Sequence, residues 1–238
     1  MVTTKKKSIV DIDELEEKMY DEMYESARLQ EATETIQYAI ELAKKSMDET
    51  FAKHPDECHE IIKIMDNYRE LVLGDKIQWN EENYGLFSKS NEICDILYDI
   101  AFLLACSKYK TARILLRKWL ELVVVSMYYD TIGKDEHNKK GESYRQLWLE
   151  AADMGSSGFT PKLDKLKSKK IFEACDFDAI KKIYKDLSLY VHNEGQINFL
   201  MGIYYNEEQF NEIYSIITQI RLLTEKIITC NYMNVNKS

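Results

Sequence analysis

Residues 13–52 contain neither glycine nor proline, and this absence limits the folds open to the chain more than any other feature. The whole sequence of 238 residues has only 8 glycines and 2 prolines. All-β and doubly wound α/β folds need many tight turns, and such turns depend on these two residue types. The sequence therefore predicts an all-α protein.

Apolar residues recur mostly at spacings of three and four along this first segment, as they do on one face of a helix. The pattern predicts a very long helix or, alternatively, two helices with a break in segment 28–34, where the apolar spacing is not maintained. Pro55 suits the first turn of the next helix and Gly74 its end. Together these elements predict a long N-terminal helical hairpin. The recurring residues are Leu15, Met19, Met23, Ala27, Ile36, Ile40, Ala43 and Met47.

The remaining chain predicts a helical bundle after a mixed aromatic and polar connection. Residues 114–127 form an apolar run too long for a typical strand, which favours a buried helix. Further helices are predicted at about 90–107, 110–131, 144–154, 161–175, 178–193 and 207–230, with a buried loop at 199–205. The predicted organisation is a disordered tail (1–10), the hairpin (11–75), the connection (76–89), the bundle (90–232) and a second disordered tail (233–238).

Charge and cysteine content argue against several classes of function. The net charge of −9 disfavours nucleic-acid binding over the whole surface, although a local basic face stays open. The 5 cysteines include no C-x-x-C pair, which predicts reduced thiols in a cytoplasmic protein. The most apolar stretch, 114–129, contains charged residues, and no apolar stretch follows the basic N-terminus, so we expect neither a membrane span nor a secretion signal. We predict no metal and no cofactor.

Segment 178–193 is the best candidate for a chemical site. At 100° per residue its apolar residues gather on one side, while its polar residues fall about 110–120° away. His192 is able to remove a proton from a ribose 2′-hydroxyl or return one to the leaving oxygen. Alternatively, His192 is structural and its cation favours the helix C-terminus. The other predicted catalytic residues are Lys185, which would offset phosphoryl charge, Ser188, which would hold the imidazole or the phosphate, and Asp186, which would orient Lys185.

Two arginines are candidates for RNA binding. Arg113, Arg117 and Glu121 share one helical stripe at four-residue spacing, which predicts a polar cleft against the helix of segment 178–193. The alternative is that Arg117 and Glu121 form an intrahelical ion pair in a partly buried seam.

Three lysines are further candidates. Lys165 and Lys169 belong to the lysine-rich segment 161–175, and Lys181 lies on the polar stripe. Each contact between such a lysine and a phosphate would add salt dependence to RNA binding. The alternative is a solvated helix face without a ligand.

Two stretches of the sequence resemble a known family. Lys185-Asp186, followed by five residues and then His192, is similar to the Arg-x(4–6)-His motif of HEPN domains, in which a polar residue commonly follows the arginine. Leu187-Ser-Leu-Tyr-Val-His192, together with Ala112-Arg-Ile-Leu-Leu-Arg-Lys-Trp-Leu-Glu121, also resembles uncharacterised HEPN-like proteins found near microbial defence genes. The resemblance covers approximately residues 90–230.

The resemblance implies a HEPN-like up-and-down bundle and an RNA-directed function of a microbial defence or toxin type. His192 would match the catalytic histidine and Lys185 the arginine, with Asp186 as the polar neighbour. Lysine keeps the charge but lacks the planar fork that grips a phosphate, so the implied activity is metal-independent RNA cleavage or RNA binding without cleavage. HEPN domains usually form a composite cleft from two copies, which implies a homodimer, and they also serve as small helical partners of nucleotidyltransferases.

The acidic surface and the length of the first helix support an alternative of another class. In that case the chain is a non-catalytic scaffold or inhibitor that binds a protein partner through the N-terminal helices, and His192 is structural.

Overall fold

A computed structural model describes most of the chain, and every element in the described ranges is helical. The described residues are 12–79, 84–133, 135, 138–139, 159–171, 173–191 and 204–233. Within them lie seven α-helices, α1 (Ile12–Lys53), α2 (Pro55–Leu73), α3 (Tyr84–Ala105), α4 (Tyr109–Tyr128), α5 (Phe159–Ser168), α6 (Ala174–Val191) and α7 (Glu207–Ile228). The prediction of an all-α fold is confirmed. Our predictions for residues 1–10, 144–154, 192–203 and 234–238 fall outside the described ranges.

α1 is one uninterrupted helix of 42 residues, so the alternative with a break in segment 28–34 is wrong. Local side-chain pairs support the helix where the apolar spacing weakens. Arg28 lies 3.4 Å from the Glu25 carboxylate, and the Gln30 side chain donates to Glu34 across 2.9 Å. Pairs at three- and four-residue spacing stabilise an exposed helix without any tertiary contact.

The chain divides into two compact units between Lys45 and Ser46, inside α1. The predicted connection 76–89 covers residues after α2 and the first residues of α3, and these two helices pack against each other within the second unit. Trp79 contributes to this packing, because its indole nitrogen donates to the carbonyl oxygen of Val72 across 2.8 Å and its ring lies 5.5 Å from that of Phe87.

α4 is the central helix of the second unit. Four helices, α3, α5, α6 and α7, pack on it. Most of its residues are buried, including Trp119, Leu120 and Val124, which explains why the apolar run continues around the helix rather than along one face. The prediction that residues 114–127 form a buried helix is confirmed.

The start of α3 is set by a side chain from the turn that follows α4. The sequence predicted that this helix begins at about residue 90, and this is wrong, because the helix begins at Tyr84. The backbone N–H groups of Gly85 and Leu86 donate to the two carboxylate oxygens of Asp130 across 2.6 and 2.9 Å. Asp130 lies in the π-helical turn that follows α4, and it also accepts a hydrogen bond from the Tyr232 hydroxyl at 2.7 Å.

Two smaller details differ from the prediction. The lysine-rich helix ends at Ser168 rather than at 175, because the backbone turns at Lys170, whose φ is 56°. Tyr204, predicted to lie in a buried loop, is 57% exposed, and residues 199–203 of that loop lie outside the described ranges.

Across the described part of the chain, no helix combines the length and the apolar character that crossing a membrane requires.

Candidate nucleic-acid interface

α6 presents one apolar face to the core and one polar face to solvent. Ile180, Ile183 and Leu187 are buried and α6 packs on α4, as the periodicity predicted. Lys181 and Lys185 are exposed. A helix that places lysines on its solvent face leaves their ammonium groups available to an external anion.

The predicted catalytic residues on α6 have different environments. Lys185 and Asp186 are exposed. Ser188 is half-buried, and its hydroxyl donates to the Tyr184 carbonyl oxygen across 2.6 Å, so this bond keeps the hydroxyl on its own helix. His192 lies outside the described residues, and its grouping with the other three stays a prediction.

Arg117 is held inside the bundle. Its Nε donates to Glu121 Oε1 across 2.9 Å, and one terminal nitrogen donates to the Tyr184 hydroxyl across 2.8 Å. The guanidinium also lies 4.7 Å from the centre of the Tyr184 ring, on which the ring of Phe159 stacks at 3.9 Å. Burial, together with the nearby Glu121 carboxylate, raises the pKa of Tyr184. This geometry matches the alternative interpretation, an intrahelical ion pair in a buried seam between α4 and α6.

Arg113 faces a different helix. It is buried, and its two terminal nitrogens donate to Gln209 and Glu212 of α7 across 3.2 and 2.7 Å. The cleft predicted from Arg113, Arg117 and α6 therefore does not form, because one arginine is tied to α7 and the other to Glu121.

We call the exposed lysines of α5, of the two residues after it and of α6 the lysine surface. Phe177 marks the place where the two helices meet, since the ammonium groups of Lys167 on α5 and Lys181 on α6 lie 4.0 and 5.5 Å from the centre of its ring. Both lysines are exposed, and their ammonium groups lie over a buried aromatic ring. The lysine surface comprises Lys165, Lys167, Lys169, Lys170, Lys181, Lys182 and Lys185.

Aromatic rings from the end of α4 and the turn after it lie beside the other edge of the lysine surface. Lys165 donates to the Tyr128 hydroxyl across 3.2 Å. Lys162 is buried beside it, with its ammonium 5.7 and 5.8 Å from the ring centres of Tyr128 and Tyr129. Desolvation, and repulsion from Lys165, lower the pKa of Lys162. Another positive charge at this edge is therefore disfavoured unless an anion compensates it.

Charge is unevenly distributed along the chain. Residues 159–191 contain eight lysines against five acidic residues, a net charge of +3, whereas the whole chain carries −9. Two of these acids, Glu173 and Asp176, are paired with Lys226 of α7 at 2.9 and 2.8 Å. The pairing with α7 reduces their effect on the lysines, whereas Asp178 lies 4.0 Å from the ammonium of Lys167. The lysines still outnumber the acidic residues here, so the lysine surface is a local positive region on an acidic protein.

Sequence reasoning placed Lys165, Lys169 and Lys181 among the candidates but not Lys167 or Lys182. For Lys167 the missing signal was Phe177, an aromatic residue on α6 that contacts lysines of both helices.

A separate polar contact lies where α2 and α7 begin. The buried His54 hydrogen bonds with the Tyr205 hydroxyl across 2.8 Å, and its ring stacks on Phe210 at 4.0 Å. Burial, with the Glu207 carboxylate as the next contribution, raises the pKa of Tyr205 to about 12. These contacts make His54 a packing residue of the second unit.

For the described residues, we see no group of three or more His, Cys, Asp or Glu side chains arranged to hold a metal ion.

No protein-family model matches this chain, and neither a curated protein nor a solved structure is detectably similar to it.

Proposed function

We propose that this chain binds RNA through the lysine surface. The observation that carries the proposal is the concentration of seven exposed lysines on α5, on the two residues after it and on α6, in a chain whose net charge is −9. Nucleic acids are recognised first through their phosphates, and clustered lysines are the usual footprint of such binding.

The chemistry of the lysine surface favours contact with the phosphate backbone over reading of bases. Lysine is a point charge without the planar fork that recognises a guanine edge or a phosphate through two donors. Phe177 is buried beneath Lys167 and Lys181, so it offers no open ring face on which a base could stack. The proposed binding is therefore tolerant of sequence and sensitive to salt.

RNA cleavage is the narrower form of the proposal. It rests on the resemblance to HEPN domains and requires His192 beside Lys185. The test is incubation of a mixed RNA pool with purified protein in excess EDTA, next to His192→Ala and Lys185→Ala of equal helicity. Cleavage lost in both variants supports a metal-independent endoribonuclease of a defence or toxin type. Absence of cleavage by folded wild type contradicts the enzymatic form and leaves RNA binding to be judged by affinity.

The binding proposal is tested with a labelled single-stranded RNA and fluorescence anisotropy. The first variant, Lys167→Gln/Lys181→Gln/Lys185→Gln, removes three charges from the lysine surface. A matched control, Lys45→Gln/Lys63→Gln/Lys76→Gln, removes three charges from exposed positions elsewhere. We expect the first variant to lose at least tenfold in affinity and the control to lose far less. Equal losses of affinity in the two variants would mean that only the total charge of the chain matters, and would contradict the proposal.

Protein binding through α1 is a second candidate function. It is supported by large apolar side chains that are exposed on this helix, among them Met19, Leu29 and Ile36. Apolar groups in such a row on a soluble protein mark an interaction site.

A further inference from the structure

The first part of α1 is a helix with no buried face. Every side chain from Lys18 to Glu41 is exposed. Helices in proteins owe most of their stability to packing of an apolar face, and an isolated helix in water is marginal. A partner that covers one face of α1 would supply that packing.

A heptad register fits this part of α1 from Met19 to Ala43, with polar residues at three of its seam positions. Steps of three and four residues from Met19 to Ala43 select eight positions, of which five are apolar, and the sequence keeps the same spacing back to Leu15 and Ile12. An apolar residue every 3.5 positions on average forms the seam of a left-handed coiled coil. The a positions are Met19, Ser26, Thr33 and Ile40, and the d positions are Glu22, Leu29, Ile36 and Ala43.

We infer that α1 pairs with α1 of a second copy of this chain in an antiparallel coiled coil. This inference goes beyond RNA binding by the lysine surface and does not depend on it. It names the partner for the second candidate function, protein binding through α1.

The polar residues in the seam distinguish the two orientations. In a parallel pair each residue meets its own copy, so two Glu22 carboxylates would face each other in one layer, and Ser26 and Thr33 would form two more polar layers. In an antiparallel pair a positions meet d positions of the other helix. Glu22 then meets Ile40, Ser26 meets Ile36 and Thr33 meets Leu29, so each polar seam residue lies opposite an apolar one.

The charge along α1 favours the same orientation. Residues 12–34 contain nine acidic residues against Lys18 and Arg28, whereas residues 35–45 contain Glu41 against Lys44 and Lys45. A parallel pair would place the two acidic segments side by side. An antiparallel pair brings the acidic end of one helix to the basic end of the other, and such complementarity sets orientation in coiled coils.

Neighbouring positions on α1 supply a matched pair of variants. Ile36 is 60% exposed and occupies a d position, whereas Tyr38 is 59% exposed and occupies the outer f position. Because both side chains are exposed, glutamate at either position leaves the fold of one copy intact. Ile36→Glu places a charge in the proposed seam, and Tyr38→Glu places the same charge on the opposite side of the helix.

The test is the solution mass of the full chain by light scattering or sedimentation, with circular dichroism to confirm helicity. We expect wild type and Tyr38→Glu at about twice the 28.0 kDa of one chain, and Ile36→Glu at the mass of one. A wild type that stays monomeric overturns the inference, as does an Ile36→Glu variant that still dimerises. RNA affinity, measured separately, tells whether the lysine surface functions in either case.

Crosslinking tests the orientation. Glu22 and Ile40 are 18 positions apart, about 27 Å along a helix at 1.5 Å per residue. In an antiparallel pair a cysteine at position 22 lies opposite position 40 of the other copy and about 27 Å from its own counterpart. Oxidation of a mixture of Glu22→Cys and Ile40→Cys should therefore give a covalent dimer that neither variant nor wild type gives alone. A covalent dimer from Glu22→Cys alone would overturn the antiparallel arrangement.

Discussion

The buried pair of Arg117 and Glu121 gives the sharpest prediction for stability. Their side chains are 11% and 8% exposed, and the Tyr184 hydroxyl satisfies a second guanidinium nitrogen. Glu121→Leu would leave the guanidinium buried without its carboxylate. Removing one partner of a buried pair costs about 3–5 kcal/mol. At about 2–4 °C per kcal/mol for a unit of this size, the expected fall in Tm is of order 10 °C.

The double variant Arg117→Met/Glu121→Leu separates the charge from the packing. Apolar side chains of similar volume should pack against the Tyr184 ring, so we expect it to recover most of the lost stability, to within about 1 kcal/mol of wild type. Tyr184→Phe removes only the hydroxyl bond and should cost about 1 kcal/mol.

The assay is urea unfolding followed by circular dichroism, with RNA affinity measured on each folded variant. If Arg117 is structural, the double variant binds RNA as wild type does. The reasoning is refuted if Glu121→Leu costs less than about 1 kcal/mol, since a buried unpaired cation must cost more. It is also refuted if the double variant keeps its fold but loses RNA affinity, because Arg117 would then contact RNA.

Two further predictions concern buried polar groups. Asp130→Ala should cost about 3 kcal/mol in urea unfolding, because two backbone N–H groups at the start of α3 and the Tyr232 hydroxyl lose their acceptor, whereas Asp95→Ala at an exposed position of α3 should cost little. The pKa of Tyr205 is raised to about 12 from 10.0, so as pH rises the unfolded chain loses this proton first and stability falls between pH 10 and 12. Tyr205→Phe should therefore decline less steeply than wild type over this range in a pH series of urea unfolding, and an equal decline would contradict the assignment.

Local signals in the sequence were enough to predict much of the fold. Pro55 and Gly74 predicted the limits of α2. A proline suits the first turn of a helix and a glycine often follows the last turn, so both signals lie at the helix ends in the sequence. The apolar run in α4 gave a buried central helix. The start of α3 was not predictable in the same way, because its cap is Asp130, 45 positions from Gly85 in the chain. The sequence around the start of a helix does not show that a residue from a distant element will cap it.

The candidate site shows the same difference between features set by nearby sequence and features set by contacts with other helices. Periodicity correctly placed Lys181 and Lys185 on the outer face of α6. It could not decide between a cleft arginine and a buried ion pair, since the answer depended on Tyr184 meeting Arg117 from another helix. The place of Lys167 in the lysine surface was likewise not predictable from the sequence, because only the packing of α5 on α6 brings Lys167 to Phe177.

The central claim is that the lysine surface binds the phosphates of RNA, and the most direct measurement is the salt dependence of that binding. Affinity for a labelled single-stranded RNA is measured across a salt series for wild type, for Lys167→Gln/Lys181→Gln/Lys185→Gln, and for the control Lys45→Gln/Lys63→Gln/Lys76→Gln. Each phosphate contact to a single strand contributes about 0.7 to the slope of log affinity against log salt. We expect the slope of the first variant to be shallower than that of wild type by about two, and that of the control to be unchanged. A wild type that does not bind RNA, or three equal slopes, would contradict the account.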